Sequence, residues 1–341
     1  MLLTPTGLDP NQTAKLARFQ KEALVEWHLS VAGDDNGQPW WPLAIRELDL
    51  EHRLVYAQEP AYNDAWQEKE KREVIADPIY FTSGYGSIQP EVGDAIPFDL
   101  WPEQADVLEE FIEQMRVIIL KARQLGLTWL ALHYALWLQA FCALTRNAKI
   151  LALSKHGGDA TKLLQRARQI NARLPAFLRQ KESTETARSL SRLKFEGRGE
   201  MVSLAGTPDA ARSETATLAL VDEFAHIRNQ QAQPTWTALQ PTLGGAGKAI
   251  VIFTGNGPRN VPGDGMAAAQ LFEQANSGQS DMKAIFLPSS TDPRRTTSWR
   301  KRMRATYLDD EDFDVEYAES IEDALQGRQG TKIYSPDGID Q

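Results

Sequence analysis

The chain is poor in cysteine and histidine, with 1 Cys and 5 His among 341 residues. Cys142 can form no disulfide within one chain, which suits a reducing compartment such as a cytoplasm. It sits in an apolar run with no charged neighbour to activate the thiol. His28, His52, His133, His156 and His226 show no zinc-ligand spacing. Long hydrophobic runs are also missing. The most apolar stretch, Trp129–Leu144, is shorter than the ~20 residues a bilayer demands, and His133 and Gln139 interrupt it. It reads as a buried helix. Met1-Leu2-Leu3-Thr4-Pro5 lacks the charged-then-apolar layout of a secretion signal. Positive charge is not in excess either. A formal net charge of −9 argues against a protein that merely coats nucleic acid, while leaving room for a local basic patch on DNA. No internal repeat and no low-complexity segment interrupts the chain.

What remains is an ordinary globular composition, 42% hydrophobic and 24% charged, long enough for one large α/β domain or two smaller ones. Three regions are expected. Residues 1–78 form a mostly helical extension, with a Gly/Pro/Asp loop at Gly33–Pro42 and a charged helix at Trp66–Ile75 that Asp77-Pro78 ends. Residues 79–288 alternate short apolar runs (Val117–Leu120, Ile150–Ser154, Leu193–Phe195, Met201–Leu204, Leu218–Val221, Ile250–Phe253, Ala284–Leu287) with helices such as Gln104–Gln114, Trp129–Leu144 and Gly158–Leu174. That pattern predicts an α/β fold with a mostly parallel sheet covered on both faces. Leu193–Leu204, with Gly197 and Gly199 inside it, predicts a hairpin at the sheet edge. Residues 289–341 form a small C-terminal helical segment, basic and then acidic.

Three features gather at predicted strand ends, where such sheets bind ligands. The loop Lys121-Ala122-Arg123-Gln124-Leu125-Gly126-Leu127-Thr128 follows an apolar run and opens a helix, as a phosphate cradle must. Compared with G-x-x-x-x-G-K-[ST], Gly126 and Thr128 are in place, Lys121 replaces the first glycine and Leu127 the lysine. If the loop binds ATP, Lys121 or Arg123 must supply the missing cation. Leu218–Val221 ends in Asp222-Glu223, an aspartate to hold Mg²⁺ and a glutamate to polarise water. Adjacent residues on a strand point to opposite sides, so both serve one site only if the chain turns there. Ile250–Phe253 runs into Thr254-Gly255-Asn256-Gly257, where Thr254 and Asn256 are placed to sense a γ-phosphate.

In this order the motifs resemble the ATPase domain of the large terminase subunit of tailed bacteriophages, from about Asp77 to Tyr334. The loop fits the family's K-x-R-Q-x-G-x-[ST] form, in which the lysine at Leu127 is not expected. Asp77-Pro78-Ile79-Tyr80-Phe81 is similar to its entry segment, and Phe98–Gln104 to its adenine-reading motif. Arg212-Ser213 falls where its arginine finger stands. Thr254–Gly257 resembles its coupling motif. Glu316-Tyr317-Ala318 with Glu322-Asp323-Ala324 resembles its closing segment, without the proline and phenylalanine.

The resemblance implies a P-loop NTPase of the additional-strand (ASCE) type. Its implied catalytic residues are Glu223, Arg212 (reaching into a neighbouring subunit), Lys121 and Arg123. ATP would be held by Gln104, Gln124, Gly126, Leu127, Thr128, Thr254 and Asn256, and Mg²⁺ by Thr128 and Asp222. It implies a ring of motor subunits in the host cytoplasm, at the portal protein of a procapsid, working with the small terminase subunit on double-stranded DNA. Phosphate grip is expected from Arg294, Arg295, Arg300, Lys301, Arg302 and Arg304, or from Lys162, Arg166, Arg168, Arg173 and Arg179; both clusters equally suit solvated helix faces. Because residue 341 falls about where an RNase H-like nuclease would begin, no nuclease activity is expected of this chain. Two rivals stay open. A helicase-like translocase would need a second α/β domain. A non-hydrolysing nucleotide-binding scaffold is favoured by Leu127 and opposed by Glu223.

Overall fold

A computed structural model describes residues 60–90, 93–142, 147–212, 215–255 and 265–325. The chain divides into two compact units, Met1–Arg72 and Glu73–Gln341. The loop expected at Gly33–Pro42 lies outside the described residues. Helix α1 (Pro60–Ala76) ends one residue before Asp77. Asp77 then caps α2 (Pro78–Tyr85), accepting from the Ile79 N–H at 2.7 Å, with Pro78 in the first turn. A proline there costs nothing, because its missing N–H would have had no intrahelical partner.

A two-residue pairing of β1 (Ser87–Ile88) with β2 (Ile96–Pro97) delivers the chain to α3 (Pro102–Glu113). The core follows as β3 (Arg116–Lys121), α4 (Leu127–Ala140), β4 (Lys149–Ser154), α5 (Gly157–Arg173), β5 (Arg192–Lys194), β6 (Glu200–Ala205), α6 (Pro208–Ala211), β7 (Leu218–Val221), α7 (Ala232–Leu243), β8 (Lys248–Phe253), α8 (Met266–Asn276) and β9 (Lys283–Leu287). These strands form a seven-stranded sheet in the order β5-β6-β4-β7-β8-β3-β9. Neighbours run parallel except β5, which pairs antiparallel with β6 at the edge. The expected edge hairpin is therefore present.

Burial follows the two-residue period of a strand. Val117, Ile119, Ile150, Ala152, Leu218, Leu220, Ile250 and Ile252 pack on one face with α3, α4 and α5. Ile118, Leu120, Leu151, Leu153, Ala219, Val221, Val251 and Phe253 pack on the other with α7 and α8. Two buried faces explain why these strands read as unbroken apolar runs. Helix α4 is buried on nearly every side, as an all-round apolar helix must be. It ends at Ala140, earlier than the expected Leu144, so Cys142 is buried just beyond the helix rather than inside it.

Strand order positions the site. β8 lies between β3 and β7, so the loops leaving the carboxyl ends of β3, β8 and β7 stand side by side. After β9 the chain forms α9 (Thr297–Arg304), α10 (Asp310–Glu316) and α11 (Ile321–Leu325). This segment closes against the loop after β3. The Ala122 N–H donates to the Leu287 carbonyl at 2.9 Å, the Arg123 N–H to the Glu316 carbonyl at 2.8 Å, and the Ser289 N–H to the Ala318 carbonyl at 2.7 Å.

Candidate phosphate-binding site

The loop turns through two left-handed residues, Gln124 (φ 60°) and Gly126 (φ 73°). Gly126 caps α4, so the first free N–H groups of a long buried helix open at the loop, where an anion is favoured. Glycine is required on two counts. The positive φ disfavours any Cβ, and a Cβ would stand 3.0 Å from Gln104 Nε2. Leu127 is 1% exposed; its side chain belongs to the core, and only its backbone is available to a ligand.

Lys121 ends β3 and donates from Nζ to Thr254 Oγ1 at 3.0 Å. Burial pushes its ammonium below the usual lysine range, against the opposing pull of Asp222, Glu223 and Glu316. Arg123 points elsewhere. Its guanidinium, 55% exposed, pairs with Glu316 at 3.1 Å, and its carbonyl accepts from Arg295 Nη2 at 2.6 Å.

Across the sheet, Thr128 Oγ1 donates to Asp222 Oδ1 at 3.1 Å. Asp222 is 7% exposed. Burial raises its pKa, and the Lys121 charge only partly offsets this. Glu223 adopts φ 53°, ψ 42°, a left-handed turn at the strand end that meets the condition for both acids to reach one site. Its carboxylate pairs with Lys155 Nζ at 2.6 Å. Burial alone would raise the Glu223 pKa, but the hydrogen bond and charge of Lys155 outweigh it and hold it below the ordinary value.

Lys155 was not a candidate in the sequence. It follows β4, and it meets Glu223 only because β4 pairs with β7, Leu153 opposite Val221. Arg166 also adds positive charge near Asp222 while stacking 5.5 Å from the Trp129 ring centroid. His226 lies in the same electrostatic neighbourhood as Glu223 and Lys155, and its Nδ1 is buried without a hydrogen-bond partner.

Gln104 is 2% exposed. Its Oε1 accepts from the Trp101 N–H at 2.9 Å, and its Nε2 donates to the Leu125 carbonyl at 2.9 Å. Arg212 stands away from the loop. It caps α6 and pairs with Asp209 at 3.4 Å, with 65% of its side chain exposed. Ala211 next to it accepts from Thr242 near the end of α7, which lies toward the amino ends of the strands. Asn256, Gly257 and Ser213 lie outside the described residues.

Most members of the two basic clusters have a partner within the chain, some buried and some, such as Lys162 and Arg294, on the surface. Arg294 and Arg295 pair with Asp292, Arg300 with Glu319, and Arg304 with Asp310 and Asp314. Lys162 pairs with Asp159, Arg168 with Glu182, Arg173 with Gln89, and Arg179 with the Leu174 carbonyl. Among the described residues, Lys301 and Arg302 are exposed with no recorded ion pair.

A parallel sheet with one strand inserted between the loop-bearing β3 and the acid-bearing β7, and a glycine-capped helix after β3, define the additional-strand class of P-loop NTPase folds. The family model described as terminase large subunit, T4likevirus-type, N-terminal matches residues 118–324, more than half of the chain, and the protein belongs to that family. Among solved structures, it is similar to the large terminase ATPase domain of Thermus phage P74-26. The two share 18% identity at a TM-score of 0.49, over 71% of this chain and 97% of that one. It is also similar to the large terminase of bacteriophage HK97, with 18% identity and a TM-score of 0.49 over 76% of this chain and 51% of that one. The large terminase of a thermophilic bacteriophage, in complex with ATP-gamma-S, matches at 12% identity and a TM-score of 0.44, over 61% and 49% of the two chains. The chain spans about half the length of this last protein and of the HK97 one.

Proposed function

We propose that this protein is the ATP-hydrolysing motor of viral DNA packaging, driving double-stranded DNA into a procapsid. The observation that carries the reading is the 3.1 Å bond between Thr128 and Asp222. It joins the first hydroxyl of the helix at the phosphate loop to a buried carboxylate two strands away, which is the pairing that flanks a bound Mg²⁺–phosphate in such folds.

The residues fit a magnesium ion. Asp222 is buried and pushed toward its neutral form, so a divalent cation would restore the carboxylate and relieve the desolvation cost. Among the described residues no group of three or more His, Cys, Asp or Glu side chains could hold a metal. Mg²⁺ needs none, since it takes one or two protein oxygens plus substrate phosphates and water. Thr128 and Asp222 would hold it, and it would neutralise charge on the β/γ-phosphates.

The chain's own groups supply the rest. Loop and α4 amides from Gln124 to Thr128 receive the phosphates. Lys121, already beside Asp222 and Glu223, is the better-placed cation, and Thr254 shares its ammonium. Arg123 is held by Glu316 and would have to leave that pair to reach phosphate. Lys155 holds the Glu223 carboxylate ionised while they are paired; on release Glu223 orients the attacking water and accepts its proton. Gln104 braces the loop through Leu125. Asn256 takes its part with Thr254 in sensing the γ-phosphate. Arg212, exposed and remote from its own loop, suits a finger in a neighbouring subunit's site, which makes hydrolysis depend on a ring.

We further propose double-stranded DNA, the portal protein and the small terminase subunit as partners and the host cytoplasm as the place of action, on the strength of the family match. The division into an extension to residue 78, a core to 288 and a C-terminal segment beyond is likewise a proposal; the family match itself runs from 118 to 324, across the second boundary. With most of both basic clusters engaged internally, Lys301 and Arg302 are the better candidates for gripping DNA phosphate. Turnover measured against protein concentration tests the whole reading. Glu223→Ala is expected to lower kcat by about 10²–10⁴. Arg212→Ala is expected to abolish the rise in activity per subunit on assembly. Turnover indifferent to Glu223→Ala sinks the catalytic assignment, and constant activity per subunit removes the trans finger.

A further inference from the structure

Lys155 is a cation with little structural duty. It stands one residue past β4, which ends at Ser154. Among the described residues its only ion pair is with Glu223, at 2.6 Å. Both side chains are partly open to solvent, 30% for the lysine and 46% for the glutamate. A pair so exposed adds little to stability and is readily exchanged. Other lysines of the sheet are tied into the fold. Lys149 pairs with the nearly buried Glu200, and Lys248 donates to the carbonyls of Phe111, Ile112 and Gln114 at the carboxyl end of α3.

Strand order sets Lys155 across from Lys121. The acid-bearing β7 has β4 on one side and β8, then β3, on the other. Lys121 approaches the acids from the β3 side, where both carboxylates act on its ammonium. Lys155 approaches from the β4 side. The Asp222 N–H donates to the Leu153 carbonyl at 2.9 Å, so the turns that bear Glu223 and Lys155 leave the sheet together. A terminal phosphate whose attacking water is oriented by Glu223 lies between these two ammonium groups.

The charges there are unequal. A terminal phosphate carries more negative charge than a carboxylate and repels Glu223. An ammonium on a flexible four-carbon stem, with three donors, can turn from one anion to the other. Leu127 stands where the usual loop lysine would be, which leaves the terminal phosphate short of one cation on the loop itself.

We propose that Lys155 is a ligand of the terminal phosphate, and that its transfer from Glu223 to that phosphate frees Glu223 to orient water. The step is an exchange of ion pairs, in which no covalent bond forms or breaks. Without a triphosphate the pair stays closed and Glu223 is withheld from chemistry. A diphosphate ends short of Lys155 and leaves the pair intact, so Lys155 makes the site prefer nucleoside triphosphates to diphosphates. The proposal rests on the phosphate-loop reading and deepens it.

Equilibrium binding, with Mg²⁺, of ADP and of a non-hydrolysable ATP analogue tests it in a two-residue cycle. Lys155→Met should weaken the analogue by about ten-fold or more, the scale of a hydrogen bond to a charged group, and leave ADP unchanged. Lys155→Arg, which keeps the charge, should keep most of the preference. Contacting residues couple, so Lys155→Met is also made in the Glu223→Gln background, where no carboxylate needs neutralising. There the ten-fold loss should persist, because the lysine touches the phosphate itself. A loss that vanishes in that background would overturn the proposal, by showing that Lys155 only shields Glu223. Equal loss of ADP and analogue would overturn it by making Lys155 a support of the fold. ADP and analogue both bound by Lys155→Met as by the unmodified protein would also overturn it, while leaving the phosphate loop standing. If the unmodified protein binds neither, the phosphate-loop reading itself has failed, and the role of Lys155 with it.

Discussion

Replacing Gly126 by alanine tests the loop at its tightest point. Two costs are expected. The residue sits at φ 73°, and a left-handed residue with a Cβ costs roughly 1–2 kcal/mol. The new Cβ would also stand 3.0 Å from Gln104 Nε2, so the amide must yield and strain or lose its 2.9 Å bond to the Leu125 carbonyl, worth about 1 kcal/mol net. Together these give about 2–3 kcal/mol. Chemical denaturation of Gly126→Ala, Gln104→Ala and the double variant would resolve the two parts. Contacting residues couple, so in the Gln104→Ala background the glycine change should cost only the backbone part, about 1–2 kcal/mol. Tripolyphosphate affinity should fall with the loop's distortion. A Gly126→Ala cost below about 0.5 kcal/mol, the level of an ordinary surface change, would refute the left-handed cap. A cost that is the same with and without Gln104 would refute the close approach.

Other outcomes follow from the charges around the acidic pair. Lys155→Met removes the two largest influences that oppose burial of Glu223, leaving only the weaker pull of His226, so its pKa should rise; because the ionised form is the one that accepts a proton, the acid limb of kcat/KM should move to higher pH. An acid limb that stays put would mean the 2.6 Å pair with Lys155 does not set the titration of Glu223. Thr128→Val removes the hydroxyl that meets Asp222 at 3.1 Å while keeping the side chain's shape. The magnesium midpoint for turnover should rise by roughly ten-fold or more, the scale of a lost bond to a charged group. An unchanged magnesium titration would show that Thr128 is not a ligand.

Several things about this protein were decided by local sequence. The apolar runs at Val117–Leu120, Ile150–Ser154, Leu218–Val221 and Ile250–Phe253 specify strands buried on both faces, because only a sheet covered on both sides removes every residue of such a run from water. Gly126 before Leu127-Thr128, and two acids at the end of an apolar strand, are likewise local features. Their chemistry is carried by residue type and spacing within a few positions of the chain.

What the tertiary structure decided is which side chains meet. Lys155 faces Glu223 because β4 neighbours β7, and strand order arises from crossovers that no local pattern encodes. Arg123 is claimed by Glu316, far along the chain, which leaves Lys121 the nearer cation for the acidic pair. Gln104, which the family resemblance offers to a base, is buried with its amide bonded to the Trp101 N–H and the Leu125 carbonyl, contacts that only the fold brings together. The basic clusters looked like surface, yet Arg168, Arg295 and Arg300 turned inward, because a guanidinium entering a folded interior must find carboxylates or carbonyls to stay charged. The loop at Lys121 was legible in the sequence as a strand-to-helix turn around Gly126, and its strand, left-handed glycine and helix are all present. Which charges stand around that loop depended on the packing of strands and segments distant in the chain.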